Sequence, residues 1–456
     1  MTMAKRIRQN SVWIALALAA LLGGLMLLDL KRPVHEPGEN PKISDIVGIA
    51  PADVTRIEIN NQGRTIVLAK AGSNWTIEQP YRAAADSDVV KRIVDGVLDR
   101  TTDYIRDEPD AKEIAQYKLD KPDVSATFQD KTGRKRVIQF GDKDPGKSSV
   151  YARDVASKKV FLVGSSDVDS LRKDAGELRD KTILTVAADN IVSVTLKRPV
   201  GEVDLERAGA KWRITKPWEA PADDSSVNSL VDTLKSLKCE RYIEAGAKDM
   251  KKYGLDAPRL RVGITEKGSK SHVLEIGSKA KDKNEVYAVR GTDRTEVVTL
   301  SESTFRSFDK SAGDLRNRKL VDFQESSVDR FAVTSPKGSW EAEKKSDDWT
   351  FANPFKGKKA DRFKVEDAVR EAAATAIRHV EENAKDLSRY GLDKPQITAT
   401  VTLKGGANKQ LFLGKKGPKG DYYARGSDSP NAVFELGKFS FDALNKKPED
   451  LLEAGK

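Results

Sequence analysis

Segments in which apolar and polar residues alternate recur along this chain, and each series of them leads into a segment with helical spacing. The segments TRIEI, from Thr55, and TIVLAK, from Thr65, alternate with a period of two. This pattern is typical of strands with one buried face, so it predicts a pair of strands. A third strand, which carries Trp75, is predicted after them. The next segment spaces its apolar residues with a period near 3.6, which predicts an amphipathic helix.

This helix is predicted in three parts of the chain. Asp86, Asp223 and Asp361 precede the three helices and are expected to be N-caps, because an aspartate side chain accepts hydrogen bonds from the free backbone N–H groups. The apolar faces are Val89, Val90, Ile93, Val94, Val97 and Leu98, then Val227, Leu230, Val231, Leu234 and Leu237, then Val365, Ala368, Val369, Ala372, Ala373 and Ile377.

The whole series of elements repeats with a nearly constant period. WTIEQP begins at Trp75, WRITKP at Trp212 and WTFANP at Trp349, 137 residues apart both times. The hexapeptides YKLDKP, YGLDAP and YGLDKP follow at intervals of 136 and 137 residues, and FGDK, IGSK and LGKK come after them. Solenoid units repeat at roughly 20–50 residues, so the longer period predicts a triplicated domain. We name its copies repeat 1 (51–187), repeat 2 (188–324) and repeat 3 (325–456).

The hexapeptides are interpreted as helix stop signals. AKEIAQY, AKDMKKY and AKDLSRY lead into them, which predicts a short helix that ends at Tyr117, Tyr253 and Tyr390. Gly254 and Gly391 fit the left-handed residue after a helix, and the following leucine fits the apolar residue that folds back on the last turn. The proline that ends each hexapeptide prevents the helix from resuming. Repeat 1 has Lys118 instead of glycine, where a left-handed conformation costs roughly 1 kcal/mol.

The order of elements predicts an α+β fold class. Each repeat is expected to be an antiparallel sheet with helices packed on one face, because its strands come in hairpins. A doubly wound parallel sheet is the alternative. Three tandem copies of this domain, each of about 137 residues, are expected to follow a single N-terminal transmembrane helix.

The N-terminus predicts a membrane anchor. Residues 11–28 are uncharged and mostly apolar, at the short end of the length that spans a bilayer. Lys5, Arg6 and Arg8 precede them and are expected to keep residues 1–10 in the cytoplasm, so that the bulk of the chain is periplasmic. A cleaved signal peptide is the alternative. Residues 29–50 carry Pro33, Pro37 and Pro41 and are predicted to be an extended spacer.

Composition and charge narrow the class of protein. Hydrophobic residues make up 38% and charged residues 33%, as in a globular protein. The net charge of +10 is interspersed along the chain, whereas nucleic-acid binders concentrate basic residues, so no nucleic-acid partner is expected. Cys239 is alone, which excludes an intrachain disulfide.

Two patterns could carry chemistry, and neither is expected to. GDKDPGKS, residues 141–148, matches a phosphate-binding loop, but a strand rather than a helix is predicted after it and the other repeats lose the pattern. His35, His272 and His379 lie in the spacer, a predicted strand and a predicted helix, and none recurs at an equivalent position. We therefore expect no catalytic, cofactor-binding or metal-binding residues, and no nucleotide or other cofactor.

Aromatic residues supply the candidate surface. Tyr81, Trp218 and Phe355 each follow the proline of the tryptophan motif. They are interpreted either as an aromatic corner of each core or as a surface for a partner or a glycan.

These motifs together resemble a bacterial family known as domain of unknown function 4340. The set comprises a single N-terminal span, W-x-I-x-x-P after a strand pair, an amphipathic helix, Y-G-L-D-x-P and a following F-G strand, and the repeated motifs cover residues 51–456. The resemblance implies a membrane-anchored envelope protein, often encoded beside ABC-transporter components and gliding-type auxiliary subunits. It carries over no catalytic residues.

The expected function is that of a non-enzymatic accessory or scaffold protein of an envelope transport complex. The chain would sit in the bacterial inner membrane and partner another membrane protein there, either a transporter permease or an auxiliary subunit. Two alternatives stay open at this point. One is a protein that binds envelope polysaccharide or peptidoglycan through the repeated aromatics, and the other is a periplasmic hydrolase with its site in one repeat.

Overall fold

The computed structural model describes residues 40–281, 283–290 and 296–453. The chain divides into two compact units, Met1–Lys181 and Thr182–Lys456. No helix within the described residues has both the length and the apolar character needed to cross a membrane. The predicted span at 11–28 lies outside the described residues.

Repeat 1 forms a sheet of nine strands in the described residues, in the order β4-β3-β2-β1-β6-β7-β8-β9-β5. Its strands are β1 (Val54–Asn61), β2 (Arg64–Ala71), β3 (Asn74–Gln79), β4 (Ala83–Ala84), β5 (Ile105–Arg106), β6 (Val124–Asp130), β7 (Lys135–Lys143), β8 (Ser149–Asp154) and β9 (Val160–Gly164). Its helices are α1 (Ile43–Val47), α2 (Ser87–Leu98), α3 (Ala111–Gln116), α4 (Ser165–Leu171) and α5 (Ala175–Leu178), with a 3₁₀ turn at Pro51–Asp53.

Repeat 2 builds a second nine-stranded sheet with the same order, β13-β12-β11-β10-β15-β16-β17-β18-β14, counted over its described residues. Its strands are β10 (Ile191–Arg198), β11 (Gly201–Ala208), β12 (Lys211–Lys216), β13 (Ala220–Pro221), β14 (Arg241–Ala245), β15 (Leu260–Glu266), β16 (Ser271–Lys279), β17 (Glu285–Arg290) and β18 (Glu296–Ser301). Its helices are α6 (Asp224–Lys235), α7 (Glu302–Phe308) and α8 (Ala312–Leu315), with 3₁₀ turns at Ala188–Asn190 and Met250–Tyr253.

Repeat 3 builds a sheet of eight strands within its described part, in the order β21-β20-β19-β23-β24-β25-β26-β22. Its strands are β19 (Val328–Ser335), β20 (Gly338–Lys345), β21 (Asp348–Asn353), β22 (Arg378–Glu381), β23 (Ile397–Leu403), β24 (Asn408–Lys416), β25 (Tyr422–Gly426) and β26 (Ser429–Leu436). Its helices are α9 (Arg362–Ala372) and α10 (Lys438–Leu444), with 3₁₀ turns at Glu325–Ser327, Leu387–Tyr390 and Pro448–Leu451.

All three sheets are antiparallel, as the hairpin pattern predicted, and each takes its strands from one repeat. In every sheet the first strand lies between the second strand and the strand that follows the hexapeptide. Ile57, for example, lies opposite Leu68 on β2 and Phe128 on β6. The doubly wound parallel alternative is therefore excluded, and three antiparallel sheets with helices are confirmed.

The predicted amphipathic helices form, and their apolar faces pack on the core of each repeat. Asp86, Asp223 and Asp361 accept hydrogen bonds from the backbone of the first turn, which confirms them as N-caps. The predicted apolar residues that lie within α2, α6 and α9 pack in or against the large core of their own repeat. Ile377 is an exception, because α9 ends at Ala372 and the Ile377 side chain is 49% exposed.

Helical segments pack on both faces of the sheet, which corrects the expectation of one face. On β17, Ala288 belongs to the large core, whereas its neighbour Val289 packs in a small cluster with Tyr253 and Leu255. Successive residues of a strand point to opposite faces, so the hexapeptide lies on the face away from α6. Repeats 1 and 3 have corresponding small clusters.

The hexapeptides end their helices as predicted, although the helices differ. In repeat 1 the helix is α3, whereas in repeats 2 and 3 only one 3₁₀ turn forms. Gly254 and Gly391 have φ values of 64° and 65°, and Lys118 also takes a left-handed φ of 54°. The Leu255 N–H donates to the Met250 carbonyl at 3.0 Å, and the same bond joins Leu392 to Leu387 at 3.0 Å and Leu119 to Ile114 at 2.9 Å.

A close backbone contact fixes each hexapeptide to the sheet. The glycines of FGDK, IGSK and LGKK lie directly against a tyrosine carbonyl, and the contacting pairs are Gly141 with Tyr117, Gly277 with Tyr253 and Gly414 with Tyr390. A Cβ built on these glycines would lie 2.0, 2.2 and 2.1 Å from the carbonyl oxygen. No side chain fits at such a distance, so only glycine allows this approach.

The described part of the predicted spacer is structured. Residues 43–47 form α1, and Ile43, Val47 and Ile49 pack in the core of repeat 1. The prediction of an extended spacer through residue 50 is therefore wrong from residue 43 onward, because these apolar side chains are buried by α2 and the sheet. Similarly, Ile183 and Leu320 precede the predicted borders and already pack in the cores of repeats 2 and 3.

We predict that Gly277→Ala strongly destabilises repeat 2. The added Cβ would meet the Tyr253 carbonyl, so the hexapeptide has to leave the sheet, and we expect a loss of about 3 kcal/mol or more in the free energy of unfolding. Gly263→Ala is the matched control, because its Cβ would lie 3.5 Å from the Thr195 side chain, an ordinary contact. Hydrogen exchange of the backbone amides of repeat 2 measures the stability of both variants. Equal protection from exchange in Gly277→Ala and Gly263→Ala would contradict the prediction.

We also predict that Gly391→Val lowers the free energy of unfolding of repeat 3 by about 1–2 kcal/mol, because valine is strained at a left-handed φ. Gly437→Val is a control in the same repeat, since Gly437 has a φ of −61° at the start of α10. Urea unfolding followed by the fluorescence of Trp340 and Trp349 checks this, and a neutral Gly391→Val would show that the left-handed stop contributes nothing.

Candidate functional site

The candidate aromatics Tyr81, Trp218 and Phe355 have three different environments. Tyr81 is 41% exposed, and the guanidinium of Arg179 lies 5.9 Å from its ring centre. Trp218 is half-buried against the core of repeat 2, and Phe355 is half-buried against the core of repeat 3. The three side chains therefore do not present one repeated surface, and their role in binding stays a prediction.

Trp218 leads to a buried cluster between repeats 2 and 3, which both lie in the second unit. We call this cluster the repeat junction, and it consists of Trp218, Arg316, His379, Glu382 and Ser429. Trp218 packs against the His379 ring at 5.1 Å between centroids. The ring of His379 in turn lies 5.5 Å from Phe434, edge-on, so that it is enclosed by residues of both repeats.

Arg316 is the central cation of the repeat junction. It follows α8 of repeat 2, yet its side chain is only 3% exposed and reaches into repeat 3. Its Nε donates to Glu382 Oε2 at 3.1 Å, and its Nη2 donates to Ser429 Oγ at 2.9 Å. Its Nη1 donates to the Asn317 carbonyl at 2.8 Å. A charge this deeply buried is stabilised only when it is paired and hydrogen-bonded, and here it is both.

Glu382 receives both basic partners on one oxygen. His379 Nε2 lies 3.0 Å from Glu382 Oε2, the atom that also accepts from Arg316. Burial alone would raise the pKa of Glu382, but the hydrogen bonds from His379 and Arg316 outweigh it and hold the pKa below its ordinary value. The carboxyl is therefore ionised at neutral pH and supplies the counter-charge for Arg316.

The sequence did not reveal this cluster. His379 was placed on a helix, but it lies on β22, because the alanine-rich helix α9 ends at Ala372. His379 and Glu382 are only three residues apart and contact each other, but nothing local to them points to Arg316, which lies 66 residues before Glu382. His272 lies on β16 as predicted and contacts Glu266 at 2.8 Å, and His35 lies outside the described residues.

An open cleft of about 620 Å³ adjoins the repeat junction. Hydroxyl groups from α6 and α7 line one side, and Lys310, Arg318 and His379 line another. Several of the lining hydroxyls already donate within the protein, as Thr233 does to the Ser229 carbonyl at 2.8 Å and Ser311 does to Asp314 at 2.6 Å. These serines are not hydrogen-bonded to the His379 ring, whose Nε2 contacts Glu382, so this geometry is not that of a serine nucleophile with a histidine base.

The phosphate-loop pattern at 141–148 has a structural role. It covers the end of β7 and the turn that leads to β8, and the strand β8 follows it where a phosphate-binding loop requires a helix. Its first glycine, Gly141, is the one in contact with the Tyr117 carbonyl. Elsewhere in the described residues, no group of three or more histidine, cysteine or acidic side chains is arranged to hold a metal ion.

Comparison with known proteins gives one family. A family model described as Domain of unknown function (DUF4340) matches residues 75–211, 212–362 and 349–455. No curated protein matches the chain. Among solved structures, a putative DNA polymerase III beta subunit from Eubacterium rectale is similar at 9% identity over 87% of this chain and 94% of that chain, with a TM-score of 0.14. A TM-score this low supports no argument about fold or function.

We predict that Glu382→Gln destabilises the second unit by about 3 kcal/mol at neutral pH, because it leaves the buried Arg316 charge without a counter-charge. The folded pKa of Glu382 is depressed, so its stabilisation is present above the ordinary glutamate pKa and is lost as the pH falls through the folded pKa. The difference between wild type and variant should therefore shrink in acid.

Urea unfolding at neutral pH and at about pH 3 measures this difference. Glu341→Gln is the control, because Glu341 forms a partly exposed pair with Arg330, which is worth about 1 kcal/mol or less. A loss at Glu382 no larger than that of the control, or equal at both pH values, would refute the assigned role.

Proposed function

The chain belongs to the DUF4340 family, which confirms the resemblance of its motifs. We propose that this member of the family is an anchored, extracytoplasmic scaffold protein. In this proposal it serves as an accessory of an ABC-type envelope transport complex and does not itself catalyse a reaction. Its partner is a transporter permease or an auxiliary subunit in the same membrane.

The location rests on the sequence of the N-terminus. Residues 11–28 form the single span in this proposal, with residues 1–10 in the cytoplasm and the three repeats in the periplasm of a bacterial cell. The tandem domains then lie on the periplasmic side of the inner membrane, where they can contact the periplasmic part of a membrane protein.

The observation that carries the proposal is the buried junction between repeats 2 and 3. Arg316, Glu382 and Ser429 connect the two repeats through hydrogen bonds that are removed from solvent. A buried, fully paired cluster of this kind favours one arrangement of the two sheets over others. A body with a fixed internal arrangement suits the holding of a partner at a set position.

Two exposed phenylalanines, one on each of two packed helices, favour partner contacts on repeat 3. Phe363 is 81% exposed on α9 and Phe439 is 69% exposed on α10, two helices that pack together. Each is the second residue of its helix, and repeat 2 has Ser225 and Ser303 at the equivalent positions. Exposed aromatics are frequent in the contacts that dominate protein interfaces.

An envelope-polymer binder is the second candidate, and it is favoured by the exposure of Tyr81. Stacking on a sugar ring needs an accessible aromatic face. Trp218 and Phe355 are half-buried, so their faces are less accessible than that of Tyr81. The hydrolase alternative has less support still, since His379 and Ser311, two of the residues that line the cleft beside the repeat junction, are engaged with Glu382 and Asp314.

The test is crosslinking of the full chain in its native membranes, followed by mass spectrometry. We expect a permease or auxiliary subunit to be recovered, and the doubly substituted Phe363→Ser, Phe439→Ser chain to recover several-fold less of it. Val200→Ser is the control, because Val200 is 91% exposed in a hairpin of repeat 2. Recovery of no membrane protein, or hydrolysis of an envelope substrate that one substitution stops, would overturn the scaffold proposal.

A further inference from the structure

The hexapeptide tyrosine of repeat 1 differs from its two equivalents. Tyr253 and Tyr390 are buried, and their hydroxyls donate to the carboxylates of Glu244 and Glu381 nine residues earlier. Tyr117 is only half-buried, and its hydroxyl lies 3.3 Å from that of Tyr104 instead. The reason is local, because Asp110 caps the full helix α3 in repeat 1, where the other repeats form a single turn.

Tyr117 lines a cleft of about 480 Å³ in the first unit, which we call the tyrosine cleft. Its main lining residues are Asn40, Tyr104, Arg106, Glu113, Tyr117 and Tyr151. The ring of Tyr151, on β8, stacks on Tyr117 at 4.0 Å with an angle of 19° between the planes. Tyr104 meets Tyr151 edge-on at 6.1 Å. The volume lies within the range of about 300–1,000 Å³ that is usual for small-ligand clefts.

The polar groups of the tyrosine cleft are held in place. Arg106 donates from Nε and Nη2 to the Glu113 carboxylate at 3.2 and 3.4 Å. Glu113 also accepts from the Asp110 N–H at 3.0 Å as part of the helix cap, so its carboxylate has a fixed orientation. A guanidinium carries five N–H groups, and Arg106 uses two of them on Glu113.

The charges of the cleft argue against an anionic ligand. Arg106 and Glu113 neutralise each other, and the other charged lining residue, Asp103, is negative. Burial raises the pKa of Tyr104 and of Tyr151, so both phenols are uncharged hydrogen-bonding groups at neutral pH. Phosphates and polyanions need an excess of cations, which this cleft lacks.

We propose that the tyrosine cleft of repeat 1 binds a neutral oligosaccharide. Aromatic rings provide the apolar surface on which the C–H face of a pyranose rests, and phenol, guanidinium, carboxylate and amide groups bond its hydroxyls. Proline-rich peptides also use aromatic grooves, but they need few polar partners, and this cleft presents them from Arg106, Glu113 and Asn40. The site is separate from Tyr81, Trp218 and Phe355 and does not depend on the scaffold role.

The test is calorimetric titration of the full chain with three neutral tetrasaccharides, those of β-1,4-linked glucose, α-1,4-linked glucose and β-1,4-linked N-acetylglucosamine. We expect at least one to bind with a millimolar or lower Kd. Tyr151→Leu should weaken it about tenfold, equivalent to about 1.4 kcal/mol. Tyr423→Leu is the matched control, because Tyr423 is the equivalent residue beside the enclosed Tyr390, at 5.0 Å.

A second variant, Arg106→Gln, covers the case in which Tyr151→Leu fails to fold, because Arg106 is exposed and its substitution should leave the fold intact. We expect Arg106→Gln to weaken binding several-fold as well. The proposal is overturned if the wild type binds none of the three sugars, or if Tyr423→Leu weakens binding as much as Tyr151→Leu. It is also overturned if a polyproline peptide binds the cleft and the sugars do not. Recovery of membrane partners is measured separately, so either proposal can fail without the other.

Discussion

The contact on which each domain depends is that between a tyrosine carbonyl and a glycine of the adjacent strand. The glycine follows its tyrosine by 24 residues in every repeat, as Gly277 follows Tyr253. The carbonyl approaches so closely that a methyl group cannot be accommodated, and the Ser278 hydroxyl and the Asp142 N–H bond two of these carbonyls. The contact thus ties the segment that crosses one face of the sheet to the strand beneath it. The hexapeptide and the later glycine motif are separate in the sequence, but they supply the two sides of this one contact.

This contact between tyrosine and glycine is the same in all three repeats, whereas the residues around it differ from one repeat to the next. This contact is preceded in every repeat by a left-handed residue after the tyrosine, which is Gly254 in repeat 2 and the more strained Lys118 in repeat 1. The residues around this contact can therefore differ between repeats. In repeat 1 three half-buried tyrosines line a cleft there, whereas in repeat 3 Glu382 receives Arg316. Chemistry in this protein is therefore expected where the copies depart from one another.

The sequence predicted the elements that are set by local physics. Strand alternation, the N-cap Asp223 and the left-handed Gly391 each depend on residues within a few positions, and each was confirmed. The repeat junction depends on side chains 66 and 113 residues apart, Arg316 with Glu382 and with Ser429, so no local pattern could indicate it. The burial of Ile43 and Val47 was missed for a related reason, because the prolines around them suggested an extended chain. The tyrosine cleft was not found either, since its three rings come from separate elements.

The cores of the three repeats are drawn from successive, non-overlapping stretches of chain, from Ile43 to Leu178, from Ile183 to Leu315 and from Leu320 to Leu451. A nascent chain that emerges from its N-terminus can therefore complete one core before the next has been made. The segments around Ile183 and Leu320 precede the domains that they help to fill, so no domain has to wait for a later one. Incomplete chains are then exposed to aggregation for the time needed to make one domain, which is an advantage for a β-rich protein of this length.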